Sequence, residues 1–276
     1  MLAVRELLYK GEALLKEAGI TDYAIDARLL LEFVYQISRT DLLLHPDRQV
    51  EEDAYLSLIK KRALRIPLQH LTGETVFMGH TFFVSEDVLV PRQDTEILVE
   101  HVLKEMPGNA HILDMCTGSG CILISLLLAK QDATGSGVDF SDRALAIAKK
   151  NAEQYETLES RIDFLQSDLF KTVTGKYDLI VSNPPYIATG EIDGLSPEVK
   201  NHDPMMALDG GEDGLCFYRR IVEDAAHYLN EGGKIFFEIG YDQGEAVKEL
   251  LIEHGYHDVT VYKDYAGLDR VVKGYK

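Results

Sequence analysis

Tyr177-Asp178-Leu179-Ile180-Val181-Ser182-Asn183-Pro184-Pro185-Tyr186 is the stretch on which the reading of the fold turns. Its first six residues form a short, aliphatic, β-branched run, the pattern of a buried strand. Pro184 and Pro185 then fix φ and remove two N–H donors, which makes a rigid turn at the strand's carboxyl end. Open α/β sheets hold their ligands at that end. In such a turn the Asn183 side-chain carbonyl and the Pro184 main-chain carbonyl are candidates to accept from both hydrogens of one –NH₂ group. The Tyr186 ring is a candidate to lie against the planar group that bears it. An amide or exocyclic amine is a poor nucleophile that must be held in this way before it reacts. The same residues also read as a proline-rich turn with a half-buried tyrosine, so the flanking sequence has to decide.

Upstream, strands and helices alternate. His111-Ile112-Leu113-Asp114 reads as a strand, with a helix beginning near Ser119. Gly135 to Asp139 is a second strand, followed by a helix from about Asp142 to Tyr155. Ile162-Asp163-Phe164-Leu165 is a third strand, and the run before Asn183 is the fourth. A helix near Phe217 to Leu229 precedes a fifth strand, Lys234 to Ile239, and Val259–Tyr262 and Arg270–Val272 fit two more. Alternation of this kind predicts a doubly wound, mainly parallel sheet of seven strands.

The loop Asp114-Met115-Cys116-Thr117-Gly118-Ser119-Gly120-Cys121 lies between the first strand and its helix. Its alternate glycines let the backbone turn sharply and approach a ligand closely. Asp139, ending the next strand, is placed to accept from two ribose hydroxyls. Position 123 is Leu123, so the third glycine of the dinucleotide fingerprint is missing, and no Lys-Ser/Thr of a phosphate loop is present. A nucleoside without phosphates fits better, which points to S-adenosyl-L-methionine, with S-adenosyl-L-homocysteine as product. Asp168, after the third strand, is a candidate acceptor for an adenine amino group, with Leu169 or Phe170 packing on the ring. It also reads as an ordinary Asx turn.

Residues 1 to about 75 read as a small helical bundle. Leu7, Leu8, Leu14, Leu15 and Ala18 recur at helical spacing; Thr21-Asp22 caps a second helix carrying Ala27, Leu30, Leu31 and Val34; a third runs from about Glu51 to Ala63. Thr75-Val76-Phe77 and Thr81-Phe82-Phe83-Val84 read as a β-hairpin, and Leu89 to Glu96 opens a helix. The expected organisation is a helical substrate-docking domain over 1–74, a hairpin linker over 75–91 and a catalytic domain over 92–276.

The chain has 276 residues and a net charge of −18. That balance repels polyanions, so direct nucleic-acid binding is not expected. The cluster Lys60-Lys61-Arg62 with Arg65 reads as a solvated helix face. Three cysteines, Cys116, Cys121 and Cys216, form no CxxC pair and no metal set, and are expected buried or half-buried in a reducing compartment. No stretch is long and apolar enough to span a membrane, and the amino terminus reads as an amphipathic helix rather than a signal peptide. A cytoplasmic monomer is the expectation, with no metal.

With these motifs in view, the sequence closely resembles the release-factor glutamine N5-methyltransferase family over nearly its whole length. The resemblance rests on Pro67-Leu68-Gln69-His70-Leu71-Thr72-Gly73, Val90-Pro91-Arg92-Gln93-Asp94-Thr95-Glu96, the glycine loop, Asp139, Asn183 to Tyr186, and Leu208-Asp209-Gly210-Gly211-Glu212-Asp213-Gly214-Leu215. Asn-Pro-Pro-Tyr alone is shared with DNA adenine-N6 and ribosomal RNA guanine-N2 methyltransferases, so nucleic-acid amine methylation is the alternative. The resemblance implies a Rossmann-like class I methyltransferase fold, a sheet that ends in one antiparallel strand, and methylation of the glutamine in the Gly-Gly-Gln loop of peptide-chain release factors. It also implies that Cys116, Thr117, Gly118, Ser119 and Gly120 line the methionyl and ribose part of the cofactor. Asp139 is implied to hold the ribose, and Asp168 with Leu169 to flank the adenine. Asn183, Pro184 and Tyr186 are implied to hold the glutamine amide, and Pro91, Arg92 and Thr95 to close over the methionyl end. Cys116 stands where the family usually has glycine, Leu169 where tryptophan can stand, and Asp203-Pro204 where Glu-Pro is common.

Overall fold

The computed structural model describes residues 1–276. They form two compact units, Met1–Glu74 with Ser196–His202, and Thr75–Leu195 with Asp203–Lys276. In the first, a two-residue strand β1 (Leu2–Ala3) pairs antiparallel with β2 (Gln49–Val50). Around it lie α1 (Val4–Glu17), α2 (Tyr23–Tyr35), α3 (Arg39–Leu44), α4 (Asp53–Ala63) and α5 (Leu68–Thr72). The apolar faces expected of three helices do converge: Leu7 and Leu15, Ala27, Leu30 and Leu31, and Ile59 share one core, with Tyr55 buried among them and the expected Leu56 packed against it only partly buried. Helices α3 and α5 were not expected, since six and five residues are too few to show a 3.6-residue period. α3 is started by a capping box in which Ser38 Oγ accepts from Asp41 N at 3.1 Å and Ser38 N donates back to the Asp41 carboxylate at 2.9 Å.

The second unit begins with the hairpin β3 (Glu74–Phe77) and β4 (His80–Phe83), followed by α6 (Gln93–Glu105). Then come β5 (His111–Met115), α7 (Cys121–Ala129), β6 (Thr134–Asp139), α8 (Asp142–Ala152), β7 (Ile162–Gln166) and β8 (Tyr177–Ser182). α9 (Pro197–His202) falls within the first unit. α10 (Cys216–Tyr228), β9 (Leu229–Glu238), α11 (Gly244–Glu253), β10 (His257–Lys263) and β11 (Asp269–Tyr275) complete the chain. The seven-stranded sheet has the order β10-β11-β9-β8-β5-β6-β7. Only β11 runs against the rest, pairing antiparallel with both β9 and β10, so the odd strand is last in the chain but second from the sheet edge.

The central strands β5 and β8 and the second half of β9 carry apolar runs because both faces of the sheet are covered there. Ile112, Leu179, Val181, Phe236 and Val271 point into one layer, with residues of α6 and α7 and with Phe77 and Phe82 of the hairpin. Their neighbours Leu113, Met115, Ile180, Phe237 and Val272 point into the other, with residues of α10 and α11. Residues 121–127 of α7 are all buried, so that helix is apolar on every side. The hairpin is also fastened by polar bonds. The buried Asn151 of α8 accepts from Phe83 N at 2.7 Å and donates to Phe83 O at 3.1 Å and to Ser119 O at 2.9 Å.

Two expectations are corrected here. Arg62 does not lie on a solvated face: it is buried, donating to Asp26 at 2.7 Å and to Glu198 of α9 at 3.1 Å, while Arg65 reaches Glu198 at 3.2 Å. Lys60 and Lys61 remain exposed. A buried carboxylate at Asp26 supplies the charge that draws Arg62 inward. Cys216 is exposed, not buried, because it opens α10 on its outer side; Cys121 is buried and Cys116 half-buried.

Candidate active site

Parallel register sets the site. Met115, the last residue of β5, is paired with Val138 on one side and Ser182 on the other. The next residues along, Cys116, Asp139 at the end of β6 and Asn183, therefore emerge side by side at the carboxyl edge of the sheet. Ser182 Oγ donates to Met115 O at 2.6 Å and ties two of these ends together. A cavity of about 380 Å³ opens there.

The glycine loop is tightly held. Thr117 Oγ1 donates to the buried Asp114 at 2.6 Å, and Thr117 N donates to Val138 O at 2.9 Å. Asp139 accepts from Gly118 N and from Ser141 N, each at 2.9 Å. Each carboxylate oxygen thus has a fixed direction and a lone pair to spare. Burial pushes the Asp139 carboxyl above its ordinary range. Cys116 has φ of 60°, a left-handed conformation that glycine adopts most easily. Leu169 is also left-handed, at φ 50°. Both line the cavity, where strained backbone is commonly found.

Of the residues singled out from sequence, Cys116, Thr117, Gly118, Ser119, Asp139, Asp168, Leu169, Asn183, Pro185, Pro91, Arg92 and Thr95 line this cavity. Gly120, Pro184 and Tyr186 do not. Gly120 is the N-cap of α7. Pro184 is buried in the turn, and Tyr186 packs half-buried against the α10 and α11 layer. Asp168 is gripped by two cations, Arg220 at 2.6 Å and Lys171 at 2.8 Å. The hydrogen bond from Lys171, then that from Arg220, holds its carboxyl below the usual range. Arg92 pairs with Asp203 at 2.7 Å. Asn183 Nδ2 points inward and donates to the buried Thr95 hydroxyl at 3.3 Å. Neither Asn183 Oδ1 nor the Pro184 carbonyl accepts a bond from within the protein.

The segment Leu208 to Leu215 acquires a physical role. Ile187 N donates to Leu208 O at 3.0 Å and Gly210 N to Ile187 O at 2.8 Å, a short ladder that clamps the chain leaving Tyr186. Gly210 and Gly214 press against the Tyr186 backbone, where a Cβ on Gly214 would lie 2.4 Å from Tyr186 O. Gln243 Nε2 donates to the same carbonyl at 2.9 Å.

Comparison with known proteins closes the description. A release factor glutamine methyltransferase of Agrobacterium fabrum is 42% identical over 267 residues, covering 94% of this chain and 92% of that one. The chain belongs to the release factor glutamine methyltransferase family. A Clostridium botulinum member is 41% identical over 283 residues and covers both chains fully. Residues 6–73 match the PrmC N-terminal domain, and residues 91–195 the methyltransferase small domain. The fold is that of methyltransferases: the Thermus thermophilus 16S rRNA N2 G1207 methyltransferase, solved with AdoMet and guanosine, aligns over 74% of this chain and 49% of its own with a TM-score of 0.52 at 19% identity.

Sequence reasoning missed several lining residues. Phe217 and Arg220 arrive from α10, Pro204, Met206 and Ala207 from the segment after α9, and Phe140 from beyond β6. The signal for Phe140 is local, an aromatic next to the acid that ends strand two. The others reach the cavity only through tertiary folding.

Proposed function

We propose that this enzyme transfers the methyl group of S-adenosyl-L-methionine to the side-chain amide nitrogen N5 of the glutamine in the Gly-Gly-Gln motif of peptide-chain release factors. The observation that carries the reading is the convergence, in one cavity of a chain of this family, of the Asp139-anchored glycine loop with an Asn183 whose amide oxygen is free. The cavity suits a nucleoside with a short polar tail. Met115, Val138 and Leu169 give apolar walls, and no lysine lines it. Its two arginines, Arg92 and Arg220, are already paired with carboxylates, which disfavours a phosphate.

When bound, the cofactor supplies an electrophilic sulfonium methyl. In this reading Asp139 accepts from the ribose hydroxyls, while Asp168, Leu169 and the exposed Phe140 flank the adenine. Pro91, Arg92 and Thr95 border the methionyl end. Asn183 Oδ1 and the Pro184 carbonyl accept the two hydrogens of the glutamine amide. That grip favours a pyramidal nitrogen and turns its lone pair, otherwise delocalised into the carbonyl, toward the methyl carbon. Positioning of this kind supplies most of the acceleration in an in-line transfer. Acceptor dipoles stabilise the positive charge that develops on nitrogen. The proton leaves to water from a strongly acidic cation, and no general base is required.

Incubation with methyl-labelled S-adenosyl-L-methionine and purified release factor, followed by peptide mass spectrometry, tests the proposal. The expected label sits on the Gly-Gly-Gln glutamine and is absent from a Gln→Ala substrate. Label on nucleic-acid amines instead would overturn it.

A further inference from the structure

β9 ends on a carboxylate that the reaction scheme above leaves unused. Ser182 of β8 is paired with Phe237 of β9, so Glu238 stands level with Asn183 at the sheet edge. Glu238 is 2% exposed, and its Oε2 has no hydrogen-bond partner. Thr95 of α6 and Asn183 itself are the polar side chains that favour its ionised form. Buried polar atoms are nearly always satisfied, so an ionisable group kept dry and half-satisfied beside a reacting site requires an explanation. Packing alone supplies none, since an apolar residue would fill the same place without the desolvation cost.

An asparagine amide presents oxygen on one side and –NH₂ on the other. To grip an incoming –NH₂ group, Asn183 must turn Oδ1 outward and bury Nδ2 against acceptors. Thr95 Oγ1 is one acceptor, at 3.3 Å from Nδ2, but a hydroxyl donates as readily as it accepts and fixes no direction by itself. An ionised carboxylate only accepts. Placed behind Thr95 it accepts the hydrogen bond of the hydroxyl, leaves the Thr95 lone pair for Nδ2, and thereby selects one of the two amide flips. We propose that Glu238 is a positioning residue for methyl transfer, acting with Thr95 to hold Asn183 with Oδ1 toward the substrate nitrogen. This rests on the function proposed above.

Burial pushes the Glu238 carboxyl up to about 7. The charged and titratable groups around it are Arg270 of β11, Asp94 of α6, Tyr186, Tyr218 of α10 and Cys121 of α7. Arg270 favours the ionised form and Asp94 opposes it. The ionised form is the accepting one, so turnover rises as pH passes upward through that region. Protonation gives Glu238 a donor and removes the preference for the productive flip. Asp114, pushed up to about 7 by burial beneath the glycine loop, also titrates there, and burial raises the Asp139 carboxyl as well.

The test compares Glu238→Gln with wild type at saturating cofactor, reading kcat and KM for release factor from pH 5.5 to 9, with cofactor affinity measured by calorimetry. Expected for Glu238→Gln are a kcat lowered at least about tenfold, KM and cofactor affinity within about threefold, and loss of the acid limb that depends on Glu238. A limb that persists comes from another group, with Asp114 and Asp139 both raised by burial. Unchanged kcat with an unchanged acid limb overturns the assignment. If Glu238→Gln fails to fold, Thr95→Val read at saturating cofactor decides: a kcat lowered at least about tenfold together with loss of the acid limb supports the relay, and an unchanged kcat with the limb intact overturns it. A wild-type protein that binds cofactor but methylates no release factor fails the parent reading instead, and that outcome is visible before any variant is made.

Discussion

Gly214→Ala tests whether the Gly-Gly-x-Asp-Gly-Leu segment serves the Asn-Pro-Pro-Tyr turn. Gly214 sits at φ +73°, a conformation that costs an alanine roughly 1–2 kcal/mol. The new Cβ lies 2.4 Å from Tyr186 O, so that carbonyl has to retreat to beyond 3.0 Å. The move also disturbs the hydrogen bond from Gln243 Nε2, whose net worth is about 1 kcal/mol. The expected stability loss is therefore about 2–3 kcal/mol. A displaced turn carries Asn183 with it, and a misplacement approaching 1 Å lowers turnover on the order of 100-fold. Gly232→Ala is the control. Its φ is +72°, but nothing lies within 4 Å of its added Cβ, so it carries the conformational cost without the overlap. Urea unfolding, cofactor calorimetry and methyl transfer to release factor are measured on both variants. Gly214→Ala should bind cofactor normally and turn over slowly, while Gly232→Ala should turn over normally. Turnover of Gly214→Ala within threefold of the control refutes the reasoning.

The remaining variants separate the roles at the site. Asn183→Ala should lower kcat by about 100-fold or more while leaving cofactor affinity within threefold, by analogy with removal of one preorganised transition-state contact; near-normal turnover would sink the amide-gripping role. Asp139→Ala removes a charged acceptor and should weaken cofactor binding by about 1.5–3 kcal/mol in calorimetry, with kcat at saturation little changed. Arg62→Met strips Asp26 of its buried partner and should destabilise the first unit by about 3 kcal/mol, read from the unfolding transition of the full chain. A loss below about 1 kcal/mol would mean that Asp26 is adequately solvated without Arg62.

The site was legible where a local requirement leaves a mark on the chain. A strand ending in two prolines, a loop with alternate glycines and an acid closing the next strand each state a backbone demand, and all three emerge at one sheet edge. The sheet itself was legible because its central strands are apolar on both faces and strands alternate with helices. Glu238 passed as the ordinary end of the run Ile235-Phe236-Phe237, although a carboxylate inside a buried run is itself a signal. Phe217 and Arg220 carry no local mark, since a helix surface naturally bears such residues and only packing aims these two at the cavity. Helix α11 was missed because it starts with Gly244 and lasts ten residues. Arg62 was misread because a run of basic residues looks solvated until the buried Asp26 is known.

The seven residues Ser196–His202 belong to the first unit although everything on either side of them belongs to the second. The first unit is therefore not a removable cassette. A chimera that exchanged residues 1–74 for those of another family member would leave Glu198 facing foreign counterparts of Arg62 and Arg65, on a segment tethered between Tyr186 and the Gly210–Gly214 clamp. The first unit can be exchanged cleanly only if both stretches travel together. Mutational drift in the two should accordingly be coupled, despite more than 120 residues of intervening sequence.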